Sequence, residues 1–342
     1  MPPQPSILLI YTGGTIGMAE DARSKELKPV DFKRLFYHFP ELKKLEVSIS
    51  VHYFEKPIDS SNMNPDAWIK LVNLIERNYY KYDGFVILHG SDTMAYSASA
   101  LSFMLENLNK PVILTGSQLP IGITRTDGKE NLITAIEIAA SKKNGKPIVP
   151  EVAIYFEYQL YRGNRTHKFN ADHFKAFQSA NYPVLAEAGV QLKYNSPAIA
   201  KPNNKKLNIY TNLDTNIAIL KIFPGITKNT VDAILNTKGL KAVVLETFGS
   251  GNAPTDKWFV ESLKKAISKG IIILNVTQCV AGSVEQGKYE TSAQLKRIGV
   301  IGGADITTEA AITKLMFLLG QNFSPEKIKK LLADSLRGEI TD

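Results

Sequence analysis

Four consecutive apolar positions, 7–10, run without interruption into Thr12-Gly13-Gly14-Thr15, and the pattern returns at 85–88, which lead into His89-Gly90-Ser91-Asp92-Thr93. Short continuous apolar runs of this kind predict strands buried on both faces. Residues 47–54 alternate like a further strand and open into a third hydroxyl-bearing loop, Asp59-Ser60-Ser61. Shorter apolar runs at 112–114 and 152–156 predict two more strands, and runs at 217–222, 242–245 and 271–276 predict three in the second half. Between them the spacing changes to helical. Asn64 reads as a cap and Pro65 as a first-turn residue, followed by Trp68, Leu71, Val72 and Ile75 along one face. Helices are also predicted over 31–39, 95–108, 257–268, 308–319 and 325–336. Asp127 and Glu130 have capping-box spacing for one that runs to Ala140.

Strand, loop and helix in repeated succession predict an α/β protein with a mostly parallel sheet flanked by helices. Residues 190–212 turn polar, with Pro197, Pro202 and a Lys-Pro-Asn-Asn-Lys-Lys run. The expected division is a larger N-terminal α/β catalytic domain (1–190), a linker (191–212) and a smaller C-terminal α/β domain (213–342). Residues 19–28 are polar and mixed in charge, as in a loop arching over a site.

In an open α/β sheet, ligands bind beyond the carboxyl ends of the strands, which is where Thr12, Thr15, Ser91 and Asp92 stand. Each loop alone reads equally well as a tight turn around a satisfied hydroxyl. An alcohol is a weak nucleophile and needs a base or proton relay, so hydroxyls and a carboxylate on two strands of one sheet weigh toward chemistry. Arg162, Arg165, His167 and Lys168 crowd the stretch 157–172, either for function or as a solvated loop. His89 reads as a packed strand-end residue, and Cys279 as a small buried filler.

At 342 residues the chain has room for two domains, and 44% hydrophobic with 22% charged residues is an ordinary globular composition. Lys plus Arg (41) exceed Asp plus Glu (33) by 8, but the excess is scattered in pairs, with no basic stripe interleaved with aromatics. Nucleic acid is therefore not expected as a partner. No run is long enough for a membrane span, and the first six residues have no basic or apolar leader, so the expectation is cytoplasmic. A single cysteine forms no intrachain disulfide and no thiolate cluster for a metal.

Thr12-Gly13-Gly14-Thr15-Ile16-Gly17 and His89-Gly90-Ser91-Asp92-Thr93-Met94 resemble the two signature motifs of the bacterial-type L-asparaginases. Asp59-Ser60-Ser61, Thr115-Gly116-Ser117-Gln118, Tyr161-Arg162-Gly163-Asn164-Arg165 and residues 249–254 are similar to the cytosolic, type I branch. The resemblance runs from about residue 6 to 338. It implies hydrolysis of L-asparagine without metal or cofactor, through a threonine nucleophile, Thr15, and an acyl-enzyme. It also implies a relay of Ser91, Asp92 and Lys168, and substrate binding by Asp59, Ser60, Ser61, Ser91 and Asp92. Homodimers or homotetramers are implied too, with Asn252 as a contact lent between subunits or, equally, a plain Asn-Ala-Pro turn.

The chain departs from the family pattern in three places. Serine stands at 91, where threonine is usual. Leu27 takes the place of a loop tyrosine, which makes Tyr289 the nominee for its role. Glu246 stands where some relatives regulated by asparagine carry arginine, so little cooperativity is expected through Glu246, Thr277 and Cys279. Two other readings stay open: a glutaminase of mixed specificity, and a non-catalytic small-ligand module. The second lacks a phosphate-loop spacing after the first strand.

Overall fold

The computed structural model describes residues 4–20, 27–29, 39–287 and 290–341. They fall into two compact units, one of residues up to 179 with 183–211, the other of 180–182 with the chain from 212 onward. All but the last residue of the helix expected over 31–39, and most of the expected loop over 19–28, lie outside the described residues. Flanking that loop, Met18–Glu20 and Leu27–Pro29 pair antiparallel.

In the first unit the buried runs become strands as expected: β1 (Ser6–Tyr11), β2 (Ser48–Tyr53), β3 (Gly84–Leu88), β4 (Val112–Thr115) and β5 (Val152–Phe156). All five are parallel and stand in the order β5-β4-β3-β1-β2. Every residue of β3, β4 and β5 is buried, because helices cover both faces. The order reverses between β1 and β3, since β2 lies on one side of β1 and β3 on the other. Such a switch point leaves a crevice beyond the strand ends, between the loops that follow β1 and β3. Three short antiparallel strands extend the far edge: β6 (Gln159–Arg162), β7 (Ala186–Ala188) and β8 (Leu192–Tyr194).

Helix α1 (Pro65–Asn78) starts where the sequence predicts. The Asn64 side chain accepts from the backbone N–H of Ala67 at 3.1 Å, and Trp68, Leu71, Val72 and Ile75 are buried. Helix α2 (Met94–Met104) is buried nearly all round and ends four residues earlier than its expected end at 108. Helix α3 (Gly128–Ala140) corrects one expectation, because Asp127 and Glu130 form no capping box. Instead the Asp127 carboxylate turns back to accept the backbone N–H groups of Gln118 and Leu119, and Glu130 accepts from Thr134 and Tyr155.

Among its described residues the second unit has four parallel strands in sequential order: β9 (Ile217–Lys221), β10 (Ala242–Thr247), β11 (Ile272–Thr277) and β12 (Ile301–Gly302). Helices α4 (Lys228–Leu235) and α5 (Lys257–Ser268) close a core around Leu220, Val231, Val243, Leu245, Phe259 and Leu263. Helix α6 (Thr308–Gly320) contributes Lys314, wholly buried, whose Nζ lies 2.6 Å from an equally buried Glu339 carboxylate. That Nζ also donates to the carbonyls of Leu332 and Asp334, which offsets the cost of burying the charge. The chain is thus an α/β protein with a larger, mostly parallel N-terminal sheet and a smaller C-terminal parallel one. No described helix is long and apolar enough to cross a membrane.

Candidate active site

Three loops interlock at the switch point, backbone against backbone. The first begins at Thr12, whose N–H and Oγ1 both donate to the carbonyl of Leu88 and whose carbonyl accepts from Ile58. The end of β1 is thereby tied to the ends of its two neighbours. Gly13 and Gly14 follow with φ of +136° and +89°, in the region that only glycine adopts freely. A Cβ on Gly14 would lie 2.5 Å from the backbone nitrogen of Gly90, and one on Gly90 would lie 2.5 Å from Ser60 Oγ. These contacts leave Thr15 and Ser91 each one residue from the touching backbones of Gly14 and Gly90. Thr15 opens a short helical turn, Thr15–Gly17, and is half-buried.

The second loop carries Asp59, Ser60 and Ser61. Asp59 is exposed, and its Oδ1 accepts from the Ser61 backbone N–H at 2.9 Å and from Ser61 Oγ at 2.8 Å. Those two bonds favour the ionised carboxylate and hold its pKa below the ordinary aspartate value. Ser60 is buried, and its carbonyl accepts from Thr93 Oγ1 of the third loop.

The third loop supplies Ser91 and Asp92, and Lys168 reaches both. Lys168 Nζ is 2.9 Å from Ser91 Oγ and 2.5 Å from Asp92 Oδ1. The lysine side chain is only 14% exposed, while that of Asp92 is 65% exposed, so one partner is enclosed and the other is open to solvent. Ser91 Oγ in turn donates to Gln118 Oε1 at 3.0 Å. The reading of 157–172 as a solvated loop is corrected here: Arg162 and Arg165 are buried, at 8% and 2% exposure. Arg162 pairs with Glu151, which is also buried, and donates to the carbonyl of Ala198. This anchoring fixes the approach of the chain to Lys168 in the next short strand, His167–Lys168.

His89 is the packed strand-end residue that was expected. It is wholly buried, with Nδ1 2.7 Å from the Gly90 carbonyl and Nε2 2.8 Å from Ser97 Oγ, which accepts from Trp68 Nε1. The carbonyl requires a proton on Nδ1, which leaves Nε2 to accept from Ser97. Burial lowers the pKa to about 4. Because an unfolded histidine titrates near 6.5, the unfolded state binds the extra proton first as the pH falls. Stability is therefore expected to be complete above about pH 6.5 and to fall by about 3 kcal/mol toward pH 4 through this residue. Urea unfolding of wild type and His89→Asn at pH 7 and 4.5 checks this, and the histidine-specific share of the loss should be absent in the variant.

The other expected residues are in the second unit. Asn252 pairs with Phe248 in an isolated antiparallel bridge that closes a tight turn. Glu246 is buried, accepts from Thr308 Oγ1 at 2.8 Å and lies 3.1 Å from Lys221 Nζ. Thr277 Oγ1 donates to the Gly249 carbonyl and accepts the N–H of Cys279. Cys279 is exposed and not a core filler, because it sits in the turn beyond β11, outside the sheet. Tyr289 lies outside the described residues. Sequence reasoning assigned no role to Gln118; the available signal was a long amide directly after a Thr-Gly-Ser strand end.

Residues 6–200 match the family model described as Asparaginase, N-terminal, and residues 216–332 match the Glutaminase/Asparaginase C-terminal domain. L-asparaginase 1 of Escherichia coli strain K12 is 43% identical over 98% of this chain and 98% of its own. The crystal structure of L-asparaginase I from Vibrio cholerae superposes with a TM-score of 0.90 at 40% identity, over 99% of this chain and 100% of that one. The thermostable L-asparaginase from Thermococcus kodakarensis also superposes at 0.90, with 29% identity over 98% and 99%. With both halves matched in order and the fold shared along nearly its whole length, the chain belongs to the asparaginase family and is an amidohydrolase.

Proposed function

We propose that the enzyme hydrolyses L-asparagine to L-aspartate and ammonia, with Thr15 as nucleophile. The observation that carries this reading is the hydrogen-bonded set of Lys168, Ser91 and Asp92, with Ser91 and Thr15 each one residue from the contact between the Gly14 and Gly90 backbones. Thr15 Oγ1 attacks the side-chain amide carbon while its proton passes to Ser91 Oγ, and the Ser91 proton moves on to Lys168 Nζ, which enters the step as the neutral amine with a lone pair to take it. The relay then runs back, Lys168 returning its proton to Ser91 as Ser91 gives one to the departing nitrogen, which leaves as ammonia, and an aspartyl ester remains on Thr15. Water then cleaves the ester by the reverse route, which regenerates Thr15 and releases aspartate. Asp92 balances the charge gathered on Lys168 and, being open to the crevice, receives the α-ammonium group of the substrate. The loop of Asp59, Ser60 and Ser61 grips the amino and carboxylate groups, with Asp59 kept ionised by the bonds from Ser61.

Beyond this centre, Tyr289 assists the nucleophile and Asn252 is lent across an interface between copies in a homodimer or homotetramer. Glu246 disfavours an effector carboxylate near Thr277 and Cys279. The enzyme works in the cytoplasm and needs no cofactor. Ammonia release by the purified protein against L-asparagine and L-glutamine tests the substrate assignment. Turnover of asparagine well above that of glutamine is expected. Activity on glutamine alone would keep the chemistry and move the substrate, and no ammonia from either would defeat the reading.

A further inference from the structure

Serine offers one O–H and two lone pairs on a side chain with three accessible rotamers, whereas a β-branched residue is confined by its extra methyl. A relay through Ser91 therefore needs something else to hold its oxygen in place. Gln118 meets that need. Its Nε2 donates to the carbonyls of Ala171 (3.2 Å) and His173 (3.0 Å), so the amide can present only Oε1 to Ser91. The orientation of the amide is thus set by its partners, and Oε1 accepts the Ser91 hydroxyl at 3.0 Å. The backbone beneath is also pinned: Gln118 N–H donates to both Asp127 oxygens, at 3.1 and 3.0 Å, and Asn131 Nδ2 donates to Asp127 Oδ2. With its O–H on Gln118 and one lone pair on Lys168, Ser91 keeps one lone pair for the incoming proton.

We infer that Gln118 is a positioning residue for the relay, one that holds Ser91 Oγ in its working rotamer through a hydrogen bond where a threonine would use its methyl group. The inference rests on the proposed role of Ser91 and deepens it. When chemistry begins, the Lys168 amine turns its lone pair toward Ser91, and the Ser91 proton swings from Oε1 to Nζ while the oxygen stays where Gln118 had held it.

The test is a cycle of four enzymes: wild type, Gln118→Met, Ser91→Thr and the double variant, with kcat and KM measured separately and folding checked by thermal melting. Methionine keeps the length of glutamine and removes its donor and acceptor. In the serine background Gln118→Met should lower kcat about three- to tenfold, the worth of one neutral hydrogen bond, with KM changed less than about twofold. In the threonine background the same substitution should cost less than about twofold in kcat, because the methyl now restricts the rotamer. Gln118→Glu, which keeps an acceptor opposite Ser91, should lie between wild type and Gln118→Met. Equal losses in both backgrounds, or no loss in either, would overturn the inference. Ser91→Ala separates the role of Ser91 from that of Gln118. Full kcat in that variant would defeat the relay itself, whereas a large loss there with an unaltered Gln118→Met would defeat only the role of Gln118.

Discussion

Replacing Thr15 with alanine should abolish asparagine hydrolysis, with kcat falling at least roughly 10⁴-fold, the scale on which enzymes lose activity when a covalent nucleophile is removed. The fold should survive. Thr15 is half-buried at the start of a three-residue turn, and the loop is held by Thr12, Gly13 and Gly14 through bonds and backbone contacts that the Thr15 side chain does not make. Circular dichroism and thermal melting should therefore match wild type. Thr15→Ser keeps the oxygen but frees its rotamer, so its activity should fall well above that of alanine and below wild type. An alanine variant that retains activity within tenfold would mean that another group, or water directly, attacks the amide.

The second large effect is expected at Lys168. Its Nζ bonds both Ser91 and Asp92, so Lys168→Met removes the proton acceptor of the relay and takes from Asp92 its bond to the lysine. General acid–base groups contribute about 10²- to 10⁴-fold, and a loss near the middle of that range, about 10³-fold in kcat, is expected. Methionine is of similar length and suits a side chain that is only 14% exposed, so the protein should remain folded. KM should change much less than kcat, because the exposed carboxylate of Asp92 is still present for the substrate's ammonium group. A variant with raised KM and intact kcat would make Lys168 a simple counter-charge that positions Asp92.

The strands that build the crevice were legible in the sequence because both of their faces are buried. In a globular chain, unbroken apolar runs as short as 7–10 and 85–88 fit strands covered on both sides, and the glycines and hydroxyls after them marked the strand ends. Helix α1 was legible because its signals are local: Asn64, Pro65 and an apolar face. What failed depended on distant partners. The spacing of Asp127 and Glu130 satisfies a capping box, yet Asp127 is used by the turn at Gln118 and Leu119, nine residues away at most. Arg162 looked solvated because its partner Glu151 and the carbonyl of Ala198 belong to other segments. For Cys279 the only guide was the general habit of cysteine to be buried, which says nothing about a turn beyond a strand end. Strand β6 was hidden within a polar stretch, since a four-residue antiparallel strand carries too little periodicity to stand out.

The hydroxyls and carboxylates of the candidate site stand out in the sequence, and the groups that support them do not. Ser91, Asp92 and Lys168 were grouped through motif resemblance, and the hydrogen bonds among them follow that grouping. The bond from Ser91 to Gln118 joins two loops at the ends of neighbouring parallel strands, β3 and β4, and strand neighbours are not written in the order of residues. The spacing of 27 residues between them carries no periodic signal.

In the proposed mechanism Thr15 carries the acyl group. The most direct measurement is acid quenching of the enzyme during asparagine turnover, followed by peptide mapping by mass spectrometry. An aspartyl ester is expected on the peptide that contains Thr15, absent in Thr15→Ala. An ester on any other residue, or steady turnover with no ester at all, would contradict it.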